Sequence, residues 1–264
     1  MTGPCPSDVI AFAHALADAN ARVTLGYFQK GIAIEDKHDD SPVTAADREG
    51  EAAMRRLIGE RFPDHGIIGE EHGRENEDAE YVWTLDPVDG TAAFVVGSAM
   101  FGTLIALLRN GRPILGVIDN PPLKQRWVGA LGHPTTFCGR PVRVREVRRL
   151  EQAMLSCASA HYFYGHHRNA FYRLAERVKL PTYGHYCVGY GLLAAGFVDL
   201  VVDGTMMPYD YLPLVPIVTG AGGLITDWQG REITGPRGKA DHLIAAANRE
   251  LLEAALGELN KAPD

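Results

Sequence analysis

The chain has 264 residues and a formal net charge of −7 at pH 7, with 46% hydrophobic and 22% charged residues. This composition is typical of a folded globular protein and excludes a disordered chain. The acidic balance argues against a dedicated nucleic-acid-binding protein, which usually carries a basic surface. Because a domain often has about 150 residues, the length allows one large domain or two modest ones.

No stretch of the sequence predicts a membrane-spanning helix, which needs about 18–20 apolar residues. The N-terminal segment lacks the basic start of a secretory signal peptide. The 4 cysteines are far apart and form no CxxC pair, so neither a disulfide framework nor a cysteine-rich zinc site is expected. These features together predict a cytoplasmic protein with no membrane partner and no nucleic-acid partner.

Two helices are predicted at the start of the chain. Residues 7–29 carry apolar side chains at helical spacing, and Gly31 ends this pattern. The polar stretch that follows predicts a loop or a hairpin. A second helix is expected to start at Thr44, which is a good N-cap, with Asp47 at the position that completes a capping box.

Strand-like runs dominate the rest of the first half, at residues 66–68, 81–85, 102–108, 114–118 and 125–130. The pair Asn110-Gly111 favours a hairpin turn between the third and the fourth of these runs. A break in the pattern at residues 132–134 predicts a domain boundary. We therefore expect an α+β domain over residues 1–133 and a second domain over residues 134–264.

The second half alternates between strand and helix patterns. Strands are predicted at residues 153–158, 198–202, 224–227 and 242–246. Helices are predicted at residues 169–178, 188–195, 212–221 and 249–259. Such alternation is typical of an α/β domain. The predicted fold class is therefore α/β overall, with an α+β half beside an α/β half.

The most informative motif is DPVDGT, from Asp86 to Thr91. An apolar strand ends at Asp86 and Asp89 follows after a turn, so both carboxylates can converge on a hard cation, for which oxygen atoms are natural ligands. The N–H groups of Gly90 and Thr91 would then open a helix and form an anion site. For this motif alone, metal-assisted phosphate chemistry and a plain Asp-Pro turn with a helix cap both stay open.

Two further acidic stretches extend the pattern. Glu70 and Glu71 follow a short strand and are flanked by glycines, which fits either an additional metal ligand or a solvated turn. Asp210 precedes an apolar helix and the sequence GAGG, where it can cap that helix or supply a ligand from the second half.

In this order and spacing, the motifs SPVTAAD, GEE, DPVDGT and PYDYLPLVPIVTGAGG resemble the inositol monophosphatase superfamily. The resemblance spans residues 37–223, and within the superfamily it is strongest to the histidinol-phosphate phosphatase branch. It implies a layered αβαβα sandwich and a magnesium-dependent phosphomonoesterase with two or three Mg²⁺ ions. It also implies inhibition by Li⁺ and a homodimer.

The resemblance further implies roles for individual residues. The implied Mg²⁺ ligands are Glu70, Asp86, Asp89, Asp210 and the carbonyl oxygen of Val88. Gly90 and Thr91 would hold the phosphate through their backbone N–H groups, while Thr91 and Asp47 would help to activate the attacking water. Glu71 would lie behind the ligands or hold a weaker metal ion, and Lys37 would lie in a mobile loop that approaches the site.

The sequence departs from this branch where the alcohol end of the substrate is expected. Histidinol-phosphate phosphatases usually carry an acid in a GGDCY-like stretch, and Tyr186, preceded by His185, stands at that position. Asp203 stands where the family carries a substrate-contacting Glu, and it can bind an amine or a hydroxyl group or simply form a turn. We select His185, Tyr186, Asp203 and Asp210 as candidate substrate-binding residues at this end.

The expected function is hydrolysis of a small phosphorylated alcohol, above all histidinol phosphate in histidine biosynthesis. The alternative is inositol monophosphate or another polyol or sugar phosphate. A phosphatase acting on 3′-phosphoadenosine compounds and a catalytically silent binding relative are weaker alternatives, the latter because all four acids are present. The segment from His161 to His167 predicts an exposed aromatic loop or dimer surface, with a zinc site at His161, His166 and His167 as its alternative.

Overall fold

The computed structural model describes residues 3–31, 35–36, 42–233, 235–236 and 240–261. The candidate residue Lys37 lies outside the described residues. Helices and sheets alternate in five layers, in the order αβαβα. The layered α/β sandwich predicted from the sequence is therefore confirmed.

Helices form the two outer layers and the layer between the sheets. Their bounds are α1 Ser7–Tyr27, α2 Ala45–Arg61, α3 Thr91–Val95, α4 Gly165–Arg177, α5 Tyr186–Ala194, α6 Pro208–Tyr211, α7 Leu214–Gly220 and α8 Arg249–Leu259. The helix predicted at residues 212–221 is present as α7, which starts two residues later, and the sequence pattern did not predict the short helix α6 before it. None of the described helices has the length and apolar character that crossing a membrane requires.

An eight-stranded sheet forms the first half, and a separate two-stranded pair lies between α1 and α2. The strands are β1 Glu35–Asp36, β2 Pro42–Val43, β3 Gly66–Gly69, β4 Arg74–Glu75, β5 Tyr81–Asp89, β6 Gly102–Arg109, β7 Arg112–Asn120, β8 Gln125–Ala130, β9 Thr136–Phe137 and β10 Arg140–Pro141. The order in the larger sheet is β10-β9-β8-β7-β6-β5-β3-β4. Its neighbouring strands are antiparallel, except for the parallel pair β3 and β5.

The hairpin predicted at Asn110-Gly111 is confirmed, because these two residues connect β6 to β7 with φ angles of 49° and 75°. Strands β9 and β10 extend the first sheet as far as Pro141. The boundary between residues 133 and 134 stays a prediction.

A five-stranded sheet forms the second half. Its strands are β11 Met154–Cys157, β12 Leu180–Tyr183, β13 Leu200–Met206, β14 Leu224–Asp227 and β15 Ala240–Ala246, in the order β12-β11-β13-β15-β14. Strand β11 is parallel to both of its neighbours, whereas β15 is antiparallel to β13 and β14. The sequence pattern missed β12 because this edge strand contains Pro181 and no fully buried side chain.

Alternate side chains of each central strand enter different cores. Along β6, Leu104 and Ala106 face the layer between the sheets, whereas Ile105 and Leu107 pack against α1 and α2. Helices α5, α6 and α7 fill the layer between the sheets, and α4 and α8 cover the far face of the second sheet. This arrangement places the carboxyl end of β5 beside α5 and α6.

Candidate active site

A pocket of about 520 Å³ opens at the carboxyl end of β5 and takes residues from both halves of the chain. Most of the candidate residues line it: Glu70, Asp86, Val88, Asp89, Gly90, Thr91, Tyr186, Asp203 and Asp210. Sequence positions more than a hundred residues apart are thus brought together in one concave site, as is usual for the binding site of a small molecule.

Three described candidates are outside the pocket lining. Asp47 is buried on α2, and Glu71 follows Glu70 in the turn after β3. His185 is the N-cap residue of α5, and its Nδ1 lies 3.0 Å from the hydroxyl oxygen of Ser156. A contact of His185 with substrate stays a prediction.

Backbone N–H groups orient the carboxylates of Asp86 and Asp210. Strand β5 runs past its predicted end, and the N–H of Val88 donates to Oδ1 of Asp86 at 2.9 Å. The N–H of Met207 donates to Oδ2 of Asp210 at 2.7 Å at the start of α6. Each side chain is therefore held by the turn that follows or precedes it in the chain.

Asp89 connects the two halves of the molecule. Its Oδ2 accepts a hydrogen bond of 2.7 Å from the N–H of Cys187, in the first turn of α5. Burial raises the pKa of Asp89, and the negative charge of Glu70 raises it further, while the hydrogen bonds from Cys187 act in the opposite direction. The position of α5 therefore depends on a side chain of the first sheet.

The carboxylates of the pocket repel one another. Burial raises the pKa of Asp86 well above its usual value, and the charges of Glu70, Asp89 and Asp210 raise it further. Among the described residues, no three His, Cys, Asp or Glu side chains are already drawn together in metal-binding geometry. The donor atoms are nevertheless all oxygens, and a hard cation such as Mg²⁺ would relieve their repulsion, so this set of residues fits Mg²⁺.

Thr91 lies between the pocket and Asp47. Its hydroxyl oxygen is 3.0 Å from the carbonyl oxygen of Val88 and 3.5 Å from Oδ1 of Asp47. Oδ2 of Asp47 accepts from the N–H of Thr44 at 2.9 Å and from its hydroxyl at 2.6 Å, which confirms the predicted capping box. The cap of α2 therefore fixes the carboxylate that faces Thr91.

The turn between β5 and α3 requires glycine for two reasons. Gly90 has a φ of 82°, in the left-handed region that favours glycine. A Cβ atom at Gly90 would also lie 2.9 Å from Cγ of Tyr186. Because the first N–H groups of a helix have no partner within that helix, the N–H groups at the start of α3 suit an anion.

Sequence reasoning missed Glu51, which is completely buried on α2. Its carboxylate accepts hydrogen bonds from the N–H of Glu71 at 2.7 Å, the N–H of His72 at 3.2 Å and Nε of Arg55 at 2.7 Å. It thereby braces the turn that carries Glu70. The signal that could have revealed it is its place four residues after Asp47, on the same face of α2.

The pocket also contains a buried acid on the second sheet. Asp203 lies within β13 rather than in a turn, and only 4% of it is exposed. Its Oδ1 accepts from the N–H of Ala158 at 2.7 Å. Burial, with a smaller contribution from the charge of Asp89, raises the pKa of Asp203 to about 7, although hydrogen bonds from Ala158, Tyr190 and Cys157 act to lower it.

In the histidine-rich segment after β11, His167 packs its ring against the rings of two other histidines. The His167 ring lies 3.8 Å from the His166 ring and 4.1 Å from the His242 ring, between ring centres. His161 is exposed on a short 3₁₀ turn, Ala160–Tyr162. The part of the chain that the structure describes gives no support for a zinc site at these histidines.

The layered sandwich and its pocket of carboxylates agree with a phosphatase, a class of hydrolase that the family and the named relatives of this chain support. The model of the "Inositol monophosphatase family" matches residues 6–264. The chain therefore belongs to this family, as the sequence motifs predicted. Members of the family generally depend on Mg²⁺, in agreement with the oxygen donors of the pocket.

Named relatives support the same conclusion. The chain is 45% identical over 256 residues to "Bifunctional phosphatase IMPL2, chloroplastic" of Arabidopsis thaliana, covering 94% of this chain and 74% of the relative. It is 34% identical over 261 residues to a "Histidinol-phosphatase" of Mycobacterium tuberculosis, covering 96% and 98%. A solved structure of an inositol monophosphatase from Zymomonas mobilis has a TM-score of 0.88 and 40% identity, covering 97% and 98%. These names include both predicted substrate classes.

Proposed function

We propose that the protein is a Mg²⁺-dependent phosphomonoesterase that hydrolyses histidinol phosphate. The observation that carries the proposal is the composition of one pocket, which joins an acidic cluster and the turn at Gly90 to a separate buried carboxylate, Asp203. This combination suits an ester with a phosphate at one end and an ammonium group at the other. The similarity to a named histidinol-phosphatase supports the same substrate.

The metal-binding part of the proposal uses the acidic cluster. The proposed Mg²⁺ ligands are Glu70, Asp86, Asp89, Asp210 and the carbonyl oxygen of Val88. When bound, the cation would neutralise phosphate charge, lower the pKa of a bound water and stabilise the leaving alkoxide. Glu71, through its backbone bond to Glu51, would keep Glu70 in place.

The phosphate would bind at the start of α3, through the N–H groups of Gly90 and Thr91. The Thr91 hydroxyl lies between Asp47 and the pocket, so it can accept a proton from the attacking water while donating its own toward Asp47. Asp47 is suited to receive that proton because its Oδ1 lies 3.5 Å from the Thr91 hydroxyl, while the helix cap at Thr44 fixes the orientation of the carboxylate through Oδ2. Asp203 would pair with the ammonium group of the alcohol.

A phosphate-release screen tests this function. Purified protein should release phosphate from histidinol phosphate in the presence of Mg²⁺, and excess EDTA should abolish release until Mg²⁺ is restored. The screen should include inositol monophosphate, a sugar phosphate and a 3′-phosphoadenosine compound. Efficient release from one of these, without release from histidinol phosphate, would overturn the proposed substrate and leave the phosphatase assignment intact.

Inositol monophosphate, or another polyol phosphate, is the second candidate substrate. It is favoured by the absence of an acid at Tyr186, and by the similarity to a solved inositol monophosphatase. A polyol presents no ammonium group, so its hydrolysis should not depend on the charge of Asp203. A silent binding relative would release no phosphate from any ester in the screen.

We also propose a homodimer, inhibition by Li⁺, a cytoplasmic location and a role in histidine biosynthesis. All four come from the family resemblance or from the sequence. Light scattering during gel filtration tests the dimer, and a Li⁺ titration of the phosphatase reaction tests inhibition.

A further inference from the structure

Tyr186 adopts an unusual backbone conformation at the edge of the pocket. Its φ is 46°, a left-handed value that is strained for a bulky residue. The next residue, Cys187, donates its N–H to Asp89, which holds this strained turn against the end of β5. Backbone strain that the surrounding structure maintains occurs preferentially at functional sites.

The strain places the Tyr186 ring on the turn proposed to bind phosphate. A Cβ atom at Gly90 would lie 2.9 Å from Cγ and 3.2 Å from both Cδ atoms of Tyr186, so the ring covers this glycine. The ring also lines the pocket. The part of the substrate that it faces is therefore close to the phosphate-bearing carbon.

Tyr162 brings a second phenol ring to the same pocket from the 3₁₀ turn after β11. It is 37% exposed, whereas another tyrosine of the pocket, Tyr190, is completely buried. Tyr162 therefore has ring surface available to a ligand. Asp89 and Asp203 are close enough to Tyr162 and Tyr186 for their negative charges to raise the pKa of both phenols.

We propose that Tyr162 and Tyr186 form an aromatic wall that selects phosphate esters whose alcohol carries a flat, weakly basic ring beside its ammonium group. This inference rests on the proposed function, because it concerns the alcohol end of that active site. Tyr186 would face the carbon chain next to the phosphate, and Tyr162 would face the ring. Asp203 would bind the ammonium group, so ring and charge are recognised by different residues.

The chemistry of the wall suits such an alcohol. Burial and the nearby carboxylates raise the pKa of both phenols, so the two side chains stay neutral over the working range of pH. Neutral phenol rings attract flat rings through their edges and cations through their faces. A polyol carries hydroxyl groups that need polar partners, which the faces of two phenol rings do not supply.

Three phosphate esters can separate the contribution of the substrate's flat ring from that of its ammonium group. Histidinol phosphate has both groups, imidazolepropanol phosphate has only the ring, and alaninol phosphate has only the ammonium group. The test compares kcat/KM for these esters in wild type, Tyr162→Leu and Tyr186→Leu. Tyr162→Phe and Tyr186→Phe keep the rings, and Tyr164→Leu is a control because Tyr164 is 71% exposed and outside the pocket lining.

Each leucine variant should lower kcat/KM for the two ring-bearing esters by about 10-fold more than for alaninol phosphate. The phenylalanine variants and Tyr164→Leu should leave this ratio as in wild type. If Tyr186→Leu does not fold, Tyr186→Asn removes the ring with a residue that tolerates the left-handed region.

Equal losses on all three esters, or no loss on any, would overturn the aromatic wall while leaving the proposed function standing. A wild-type enzyme that hydrolyses only the two simpler esters would overturn the proposed substrate. The aromatic wall would then be tested by the ratio of kcat/KM for imidazolepropanol phosphate to that for alaninol phosphate in the same variants. Hydrolysis of inositol monophosphate and of none of the three would overturn both proposals.

Discussion

The hydroxyl oxygen of Thr91 lies between two acceptors, 3.0 Å from the carbonyl oxygen of Val88 and 3.5 Å from Oδ1 of Asp47. Thr91 has one hydroxyl proton, so it can donate to only one acceptor at a time. Its lone pairs then remain available toward the pocket. This geometry agrees with the proposed roles of Thr91, in which the side chain moves a proton and the backbone N–H binds phosphate.

Thr91→Ala should therefore lower kcat by about 10²-fold, the usual scale for loss of acid–base assistance, with a much smaller change in KM. The backbone N–H groups that would bind phosphate survive this substitution. Thr91→Ser, which keeps a hydroxyl group, should recover most of kcat. Steady-state kinetics that show a raised KM with an unchanged kcat would instead make Thr91 a binding residue.

Asp86→Asn should remove most turnover, by about 10²-fold or more, because it removes a charged oxygen donor from the proposed Mg²⁺ site. It also removes a buried charge that its neighbours repel. The EDTA-treated variant should therefore melt at a temperature no lower than that of EDTA-treated wild type. Full activity of Asp86→Asn, with unchanged dependence on Mg²⁺, would be incompatible with this role.

Asp203→Asn should reduce kcat/KM for histidinol phosphate by roughly 10- to 100-fold, because a hydrogen bond to a charged group contributes about 1.5–3 kcal/mol. Inositol monophosphate has no ammonium group, so its kcat/KM should change little. Tyr186→Asp, which restores the acid of the related branch, should shift preference toward the amine ester. If Asp203→Asn affects both esters equally, Asp203 has only a structural role.

The preference for an amine substrate should also depend on pH. The pKa of Asp203 is raised to about 7, so its carboxyl gains a proton, and loses its negative charge, as the pH falls through that value. The thiol of Cys157, the phenol of Tyr190 and the carboxylate of Asp89 face this group.

The ratio of kcat/KM for histidinol phosphate to that for inositol monophosphate should therefore decrease as the pH is lowered from 8 to 6. Titration of the phosphate group is shared by both esters and largely cancels in this ratio, whereas titration of the imidazole ring of histidinol phosphate contributes in wild type and in Asp203→Asn alike. The ratio should therefore depend less on pH in Asp203→Asn than in wild type. An equal pH dependence in wild type and variant would assign the effect to another group.

Glu51→Gln should weaken the response to Mg²⁺ without touching a proposed ligand. The neutral amide offers fewer acceptors to Arg55 and to the turn that carries Glu70, and loss of such charged hydrogen bonds costs about 1.5–3 kcal/mol. Both the melting temperature and the apparent affinity for Mg²⁺ should decrease. Glu60→Gln, an exposed change on the same helix, is the matched control. A lower melting temperature with unchanged Mg²⁺ dependence would limit Glu51 to stability.

The features predicted well from sequence are those that short segments determine. The cap at Thr44 and the hairpin at Asn110-Gly111 depend on residues within one turn, and both have the predicted geometry. The acids of the pocket were recognisable because each stands in a local motif. Helix α6 was missed because its four residues are too few to show a helical pattern in the sequence.

Contacts between distant segments were not predictable from local patterns. The bond between Asp89 and Cys187 joins residues 98 positions apart, and the brace from Glu51 to Glu71 spans 20 positions. Tyr162 was noticed only as part of an aromatic segment, because its place in the pocket depends on how the second sheet packs. Periodicity reports which face of an element is buried, but not which residue of another element it meets.

The backbone bonds to the acidic cluster have a consequence for the choice of cation. One oxygen each of Asp86, Asp89 and Asp210 already accepts a hydrogen bond from a backbone N–H. This favours coordination of a cation through one oxygen of each carboxylate over bidentate coordination. Ca²⁺ favours six to eight oxygens, often from bidentate carboxylates, whereas Mg²⁺ takes six at a shorter distance and keeps several waters. Ca²⁺ should therefore be a poor replacement that occupies the cluster without supporting turnover.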